Sequence, residues 1–202
     1  MSYRAILDRI FETVDEESYQ TPVHRISGHE AEALAVFRDA LRQPDWEPEE
    51  LRALVRRLQA EGRIRRVTMF SALHIVAAHP KVKNYAEAAR MTAEQEVAAW
   101  QDDGPDLNAD LASVERHRAW LAFAMGRYEQ ALDYCSRALE RERSGENLQN
   151  ILCTLIRLRE IDEAAALLVQ IRRSYPASMV AELDSAIASD ADLALLRTET
   201  EK

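Results

Sequence analysis

Five histidines, His24, His29, His74, His79 and His117, are the first residues to weigh as metal ligands or proton carriers. On one helix His74 and His79 would stand five residues apart, roughly 140° round the axis, so they cannot share an ion as an i, i+4 pair does. His29-Glu30 lacks the second histidine of a zinc-protease helix. There is no phosphate-cradling glycine loop and no Gly-x-Ser-x-Gly elbow, and neither cysteine stands in a nucleophile context. Glu94, Glu96, Glu160 and Glu163 have the spacing of solvated helix faces rather than of a paired acid and base. These observations predict a chain that is not an enzyme, with no catalytic residue, no metal and no cofactor.

The densest chemistry is cationic. Arg52, Arg56, Arg57, Arg63, Arg65 and Arg66 crowd a segment opposed only by Glu61, a patch for nucleic acid or an acidic partner. The run Leu54-Val-Arg-Arg-Leu-Gln-Ala-Glu-Gly62-Arg-Ile-Arg-Arg-Val67 resembles the recognition helix and wing entry of winged helix-turn-helix proteins. That resemblance implies a DNA-binding regulator whose arginine-rich helix enters the major groove, the second half of the chain sensing or dimerising. Against it, Thr68 to Ala78 continues as an apolar helical run, which leaves no second wing strand. A formal net charge of −9 also argues against nucleic acid or an anionic membrane as the main partner.

What must position such residues is a set of helices. The 202 residues are 47% hydrophobic and 30% charged with only 5 Gly and 6 Pro, and Ala, Leu, Glu and Arg dominate, which is an all-α signature. Cys135 and Cys153 fall inside predicted helices and read as buried reduced thiols. Met1 to Val14 lacks a continuous apolar core, and no apolar run reaches the ~20 residues that a membrane span needs, so a cytoplasmic protein away from membranes is expected.

Tyr3, Ile6, Leu7, Ile10, Phe11 and Val14 form one apolar stripe. It either covers the chain's own repeats or docks on a partner, including a second copy in a homo-oligomer. The polar stretch 15–26 reads as a linker, and Ser27 with Glu30 as a capping box. Two hairpins follow, the first around Trp46, the second from Ile64 to His79 and Tyr85 to Trp100. Gln101 to Asn108 reads as the hinge loop, and Ser189 with Asp192 as a second capping box in the C-terminal helices. The organisation expected is 1–27 as terminal amphipathic helix and linker, 28–101 as diverged hairpins, and 108–202 as two repeats with capping helices, all parts of one continuous solenoid.

The repeats carry the second resemblance. Gly126-Arg127-Tyr128-Glu129-Gln130-Ala131 leads into Leu132, Cys135, Ala138 and Leu139; Arg159-Glu160-Ile161-Asp162-Glu163-Ala164 leads into Leu167, Leu168 and Ile171. Ala131 and Ala164 are 33 residues apart, Tyr85 and Ala88 repeat the spacing of Tyr128 and Ala131, and Pro176 closes the second unit. This pattern resembles tetratricopeptide (TPR) repeats, with Glu115 and Arg118 standing where that family prefers large apolar residues. The resemblance implies a right-handed solenoid of antiparallel helix hairpins and a non-catalytic adaptor or scaffold that binds a peptide or helix in its concave groove. By resemblance the groove positions are Arg116, Trp120, Phe123, Gln149, Asn150, Cys153 and Arg157, with Trp120 and Phe123 as the apolar anchors. A TPR-type secretion chaperone is a variant of the same class. Capture of chaperone C-termini is not expected, because Glu182 and Asp184 stand where such a clamp needs cations.

Overall fold

The chain punctuates its helices with local devices that can be read one by one. Pro48 sits in the first turn of its helix, where its fixed φ suits the helix and its missing N–H costs nothing. Asn84 caps the next long helix but one by accepting from Glu87 N at 3.2 Å, and Ser144 accepts from Asn147 N at 3.3 Å. Gly62, at φ +68°, ends a helix in the left-handed region, with Gly62 N bonded to Gln59 O and Arg63 N to Leu58 O at 2.9 Å each. This is the Schellman arrangement that satisfies otherwise orphaned carbonyls.

A computed structural model describes residues 3–14 and 28–199. Among these residues the fold is all-helical and holds no strand: α1 (Tyr3–Val14), α2 (Gly28–Arg42), α3 (Pro48–Ala60), α4 (Arg66–Ala78), α5 (Tyr85–Asp102), α6 (Leu107–Ala124), α7 (Tyr128–Arg141), α8 (Gly145–Arg157), α9 (Ile161–Ser174), α10 (Ala177–Ser189), a 3-10 turn (Ala191–Leu193) and α11 (Ala194–Glu199). The expected linker 15–26 and Ser27 of the first capping box lie outside the described residues, as does the end of the tail from 200. None of these helices is long and apolar enough to cross a membrane. The chain divides into two compact units, Val23–Leu121 and Met1–Pro22 with Ala122–Lys202.

In the first unit α2 packs on α3, α3 on α4 and α4 on α5. Phe37, Leu51, Val55, Leu58, Leu73 and Val76 close its core. Burial of each such side chain contributes about 1.5–3 kcal/mol. Arg65 lies in this unit, not on its surface patch. Its backbone N and Nε bond Glu30 at 2.8 and 3.3 Å, and its Nη1 and Nη2 bond Asp110 at 2.6 and 3.1 Å. Burial works against the Arg65 charge, but the two carboxylates raise its pKa above the ordinary value. The helix expected from Ile64 begins at Arg66, because buried Ile64 lies in the turn after Gly62.

In the second unit α8 is central, packed on α7, α9 and α10. Leu132, Leu139, Leu148, Ile151, Leu155 and Ile171 are wholly buried there. Asn147, also wholly buried, donates to Ala138 O and Glu142 O, tying the end of α7 to the start of α8. Helix α1 packs on α7 and α9 through buried Ile6, Leu7 and Ile10, and Arg9 fixes it by bonding Ser136 Oγ at 3.0 Å, Asp133 at 3.2 Å and Glu140 at 2.7 Å. The side chains of Tyr3 and Val14 lie outside those described. The second capping box is not built as expected: Asp190, rather than Ser189, accepts from Asp192 N at 2.9 Å, while Ser189 Oγ turns back to Ser185 O.

Two turns of this unit share one backbone pattern. Gly126 N bonds Phe123 O, Arg127 N bonds Ala122 O and Ala131 N bonds Arg127 O; Arg159 N, Glu160 N and Ala164 N repeat all three bonds 33 residues later. Gly126 and Arg159 have φ of +72° and +67°. Ala131 and Ala164 are both wholly buried, as helices crossing closely at a small residue require. In the first unit Asn84 takes nearly the φ of Arg127 and Glu160, and Ala88 is likewise wholly buried. Trp46 marks a different kind of connection, with extended Glu47 leading directly into Pro48.

Candidate functional site

The proposed groove positions fall in both units and are taken unit by unit. In the first unit, Trp120 is 40% exposed at the edge of an aromatic cluster, 6.3 Å from the His74 ring and 6.1 Å from Tyr85. Beneath it the rings of His74 and His117 stack with centroids 4.0 Å apart. His74 Nδ1 lies 3.0 Å from Ala88 O and 2.8 Å from Thr92 Oγ1, whose hydroxyl donates to the same carbonyl. His117 Nδ1 lies 2.8 Å from Gln95 Oε1, and Gln95 Nε2 lies 3.3 Å from Ser113 Oγ. The Ala88 carbonyl can only accept, which assigns the proton of the His74 ring to Nδ1. Burial pulls the His74 pKa down despite the Ala88 carbonyl. Burial, then the His74 ring and Arg116, hold His117 well below the ordinary value. At neutral pH the pair is therefore uncharged, and among the described residues its bonds go to uncharged groups. Arg116, half-buried, adds positive charge beside it.

In the second unit Phe123 is half-buried, its ring edge-on to Tyr128 at 5.3 Å and under the Arg157 guanidinium at 5.7 Å. The α8 positions expected to face a partner are engaged by the chain's own C-terminal turn. Gln149 Nε2 donates to Asp190 Oδ2 at 3.0 Å, Cys153 Sγ lies 3.9 Å from the same oxygen, and Arg157 pairs with Asp192. Leu193 and Leu196, both wholly buried, anchor that turn, and Arg197 braces it by donating to Ile187 O and Asp190 O. Asn150 is half-buried, and its carbonyl accepts from Thr154 Oγ1. Burial and then the Asp190 and Asp192 charges push the Cys153 thiol up to about 12, and burial pushes Cys135 to about 12 as well. Both are reduced, buried thiols, poor nucleophiles at neutral pH.

The six arginines of the candidate patch are distributed among different tasks. Arg52 pairs with Glu49 and Glu87, Arg65 holds Glu30 and Asp110, Arg63 lies 3.8 Å from Glu61, and Arg66 bonds Gln101. Arg56 and Arg57 are exposed on α3. The residues after them, where the winged-helix resemblance implies a strand, form α4.

Sequence reasoning missed the His74–His117 pair and the Asp190–Asp192 turn. The partners are separated by 43 residues in one case and by 41, from Gln149 to Asp190, in the other. The one local signal was the Gln149, Cys153, Arg157 spacing, which marks a single face of α8 without saying what covers it. Among the described residues no group of three or more His, Cys, Asp or Glu side chains is arranged to hold a metal ion. What these contacts define is a class, an all-helical protein, among the described residues, whose helices pack against their neighbours. The chain matches no family model, and neither a curated protein nor a solved structure is significantly similar to it.

Proposed function

We propose that this protein is a non-catalytic interaction module, a TPR-like helical repeat that holds a peptide or helix of a protein partner. The observation that carries the reading is the 33-residue recurrence of the turn at Gly126 and Arg159, bond for bond, with a wholly buried alanine after each. A superhelical stack of such hairpins presents its first helices to a ligand. In this reading Trp120 supplies apolar contact beside Tyr85, and Arg116 orients acidic or backbone groups. On the second unit Phe123 and Asn150 are half-buried and are read as contacts of that unit by itself, while Gln149, Cys153 and Arg157 chiefly hold the C-terminal turn. The DNA-binding alternative is less well supported, since Arg52 and Arg65 are committed to internal carboxylates.

The test is selection from a displayed peptide library against the full chain, followed by titration of the selected peptides against Trp120→Ala. Loss of at least tenfold in affinity with unchanged helicity is the expected result. If no peptide is selected, or if Trp120→Ala binds as tightly as the native chain, the proposal fails.

A further inference from the structure

Among the described residues helix α5 leaves an apolar face exposed. Ala93, Val97 and Trp100 follow one another at helical spacing and all are exposed, Val97 by 55% and Trp100 by 56%. Beside them, between α4 and α5, lies a cleft of roughly 390 Å3 floored by Phe70 and Ala98 and rimmed by Arg66, Glu94 and Gln101. Val97 and Trp100 with this cleft form a contiguous apolar patch, not singly scattered surface residues.

The charges around the face are self-complementary. Arg66 bonds the neutral Gln101 at 2.6 Å, and among the described residues no carboxylate pairs with it. Glu94, on the same rim, bonds Arg90 at the edge of the helix. The rim thus carries one cation, Arg66, and one anion, Glu94, on a chain whose net charge is −9. A partner with a strongly basic face would find no acidic excess here, and a strongly acidic one little basic excess.

We propose that a second copy of this chain docks on this face, α5 packing antiparallel on α5 about a two-fold axis at Val97. In that register Val97 meets Val97 of the second copy, and Trp100 falls over the small Ala93 at the mouth of the opposite cleft. Arg66 of each copy comes beside Glu94 of the other. A two-fold interface uses one patch twice, so a patch that holds large next to small and plus next to minus satisfies itself. The face is separate from Trp120 and Arg116 and does not depend on the peptide-binding reading.

Sedimentation of the full chain over a range of concentrations tests the assembly. The 23.0 kDa chain is expected to reach twice that mass, and Trp100→Glu to remain monomeric with its helicity intact. Arg66→Glu is expected to weaken the dimer at least tenfold, and the swap Arg66→Glu/Glu94→Arg to restore it. Under mild oxidation Val97→Cys self-links, because it lies on the axis, whereas Ala93→Cys does not, since the two copies of residue 93 stand about 12 Å apart along the helices. A chain that is monomeric at every concentration overturns the proposal. So does a dimer that survives Trp100→Glu, which would place the contact on another face such as α1, or a Val97→Cys chain that does not link.

Discussion

The two equivalent turns carry different residues at their left-handed position, and that difference can be weighed. Gly126 and Arg159 both hold left-handed backbone, at φ +72° and +67°, with the same bonds around them. A residue with a Cβ gives up about 1–2 kcal/mol in that region, whereas glycine gives up about 0.4–1 kcal/mol of extra chain entropy on folding. Arg159 is exposed and its side chain makes no hydrogen bond or ion pair among the described residues, so replacing it removes only the strain. Arg159→Gly is therefore expected to stabilise the second unit by about 0.5–1 kcal/mol, raising Tm by about 1–4 °C. Gly126→Arg is the mirror experiment: a Cβ there meets nothing within 4 Å, so its cost is the same strain with the sign reversed. Urea denaturation of both variants, with unchanged m, measures each effect as a shift in midpoint. An Arg159→Gly protein less stable than the native chain, or a Gly126→Arg protein equally stable, would refute the assignment of both positions to one strained turn.

Two further outcomes follow from buried groups in the first unit. His74 and His117 hold fewer protons folded than unfolded, because both pKa values are depressed below 6.5; stability is therefore full above about pH 6.5 and falls as pH drops from there towards the folded values. Urea midpoints between pH 7.5 and 5 should show this fall, and His117→Phe should flatten it; an unchanged slope in the variant would remove the pair as its cause. Arg65→Met leaves Glu30 and Asp110 without their shared cation, at an expected cost of about 2–3 kcal/mol, less than for a wholly buried pair because Arg65 keeps 29% of its side chain exposed. Partial recovery in Arg65→Met/Asp110→Leu is the check, since removing both partners relieves the orphaned charge.

Local chemistry decided what could be read early. The helical class followed from Ala, Leu, Glu and Arg outweighing Gly and Pro, and the turns at Tyr85, Tyr128 and Ile161 were visible because glycine, small residues and capping side chains act within four residues of themselves. Buried Ala88, Ala131 and Ala164 show the same thing, since a small residue in an apolar helix face reports a close neighbour without naming it. The capping box at Ser189 was displaced by one residue because two acceptors, Ser189 and Asp190, compete within the same turn.

What the tertiary structure alone decided is where charged and polar side chains spend their bonds. Arg65 looks in sequence like any arginine of the 52–66 run, yet it is bound to carboxylates 35 and 45 residues away. Gln149, Cys153 and Arg157 mark one face of α8, but only the fold sets Asp190 and Asp192 against it. His74 finds His117 rather than His79 because α4 and α6 carry the two rings to the same place. Helical period determines which residues share a face; it contains no information about which face, tens of residues away, will meet it, and long-range electrostatics and packing settle that choice.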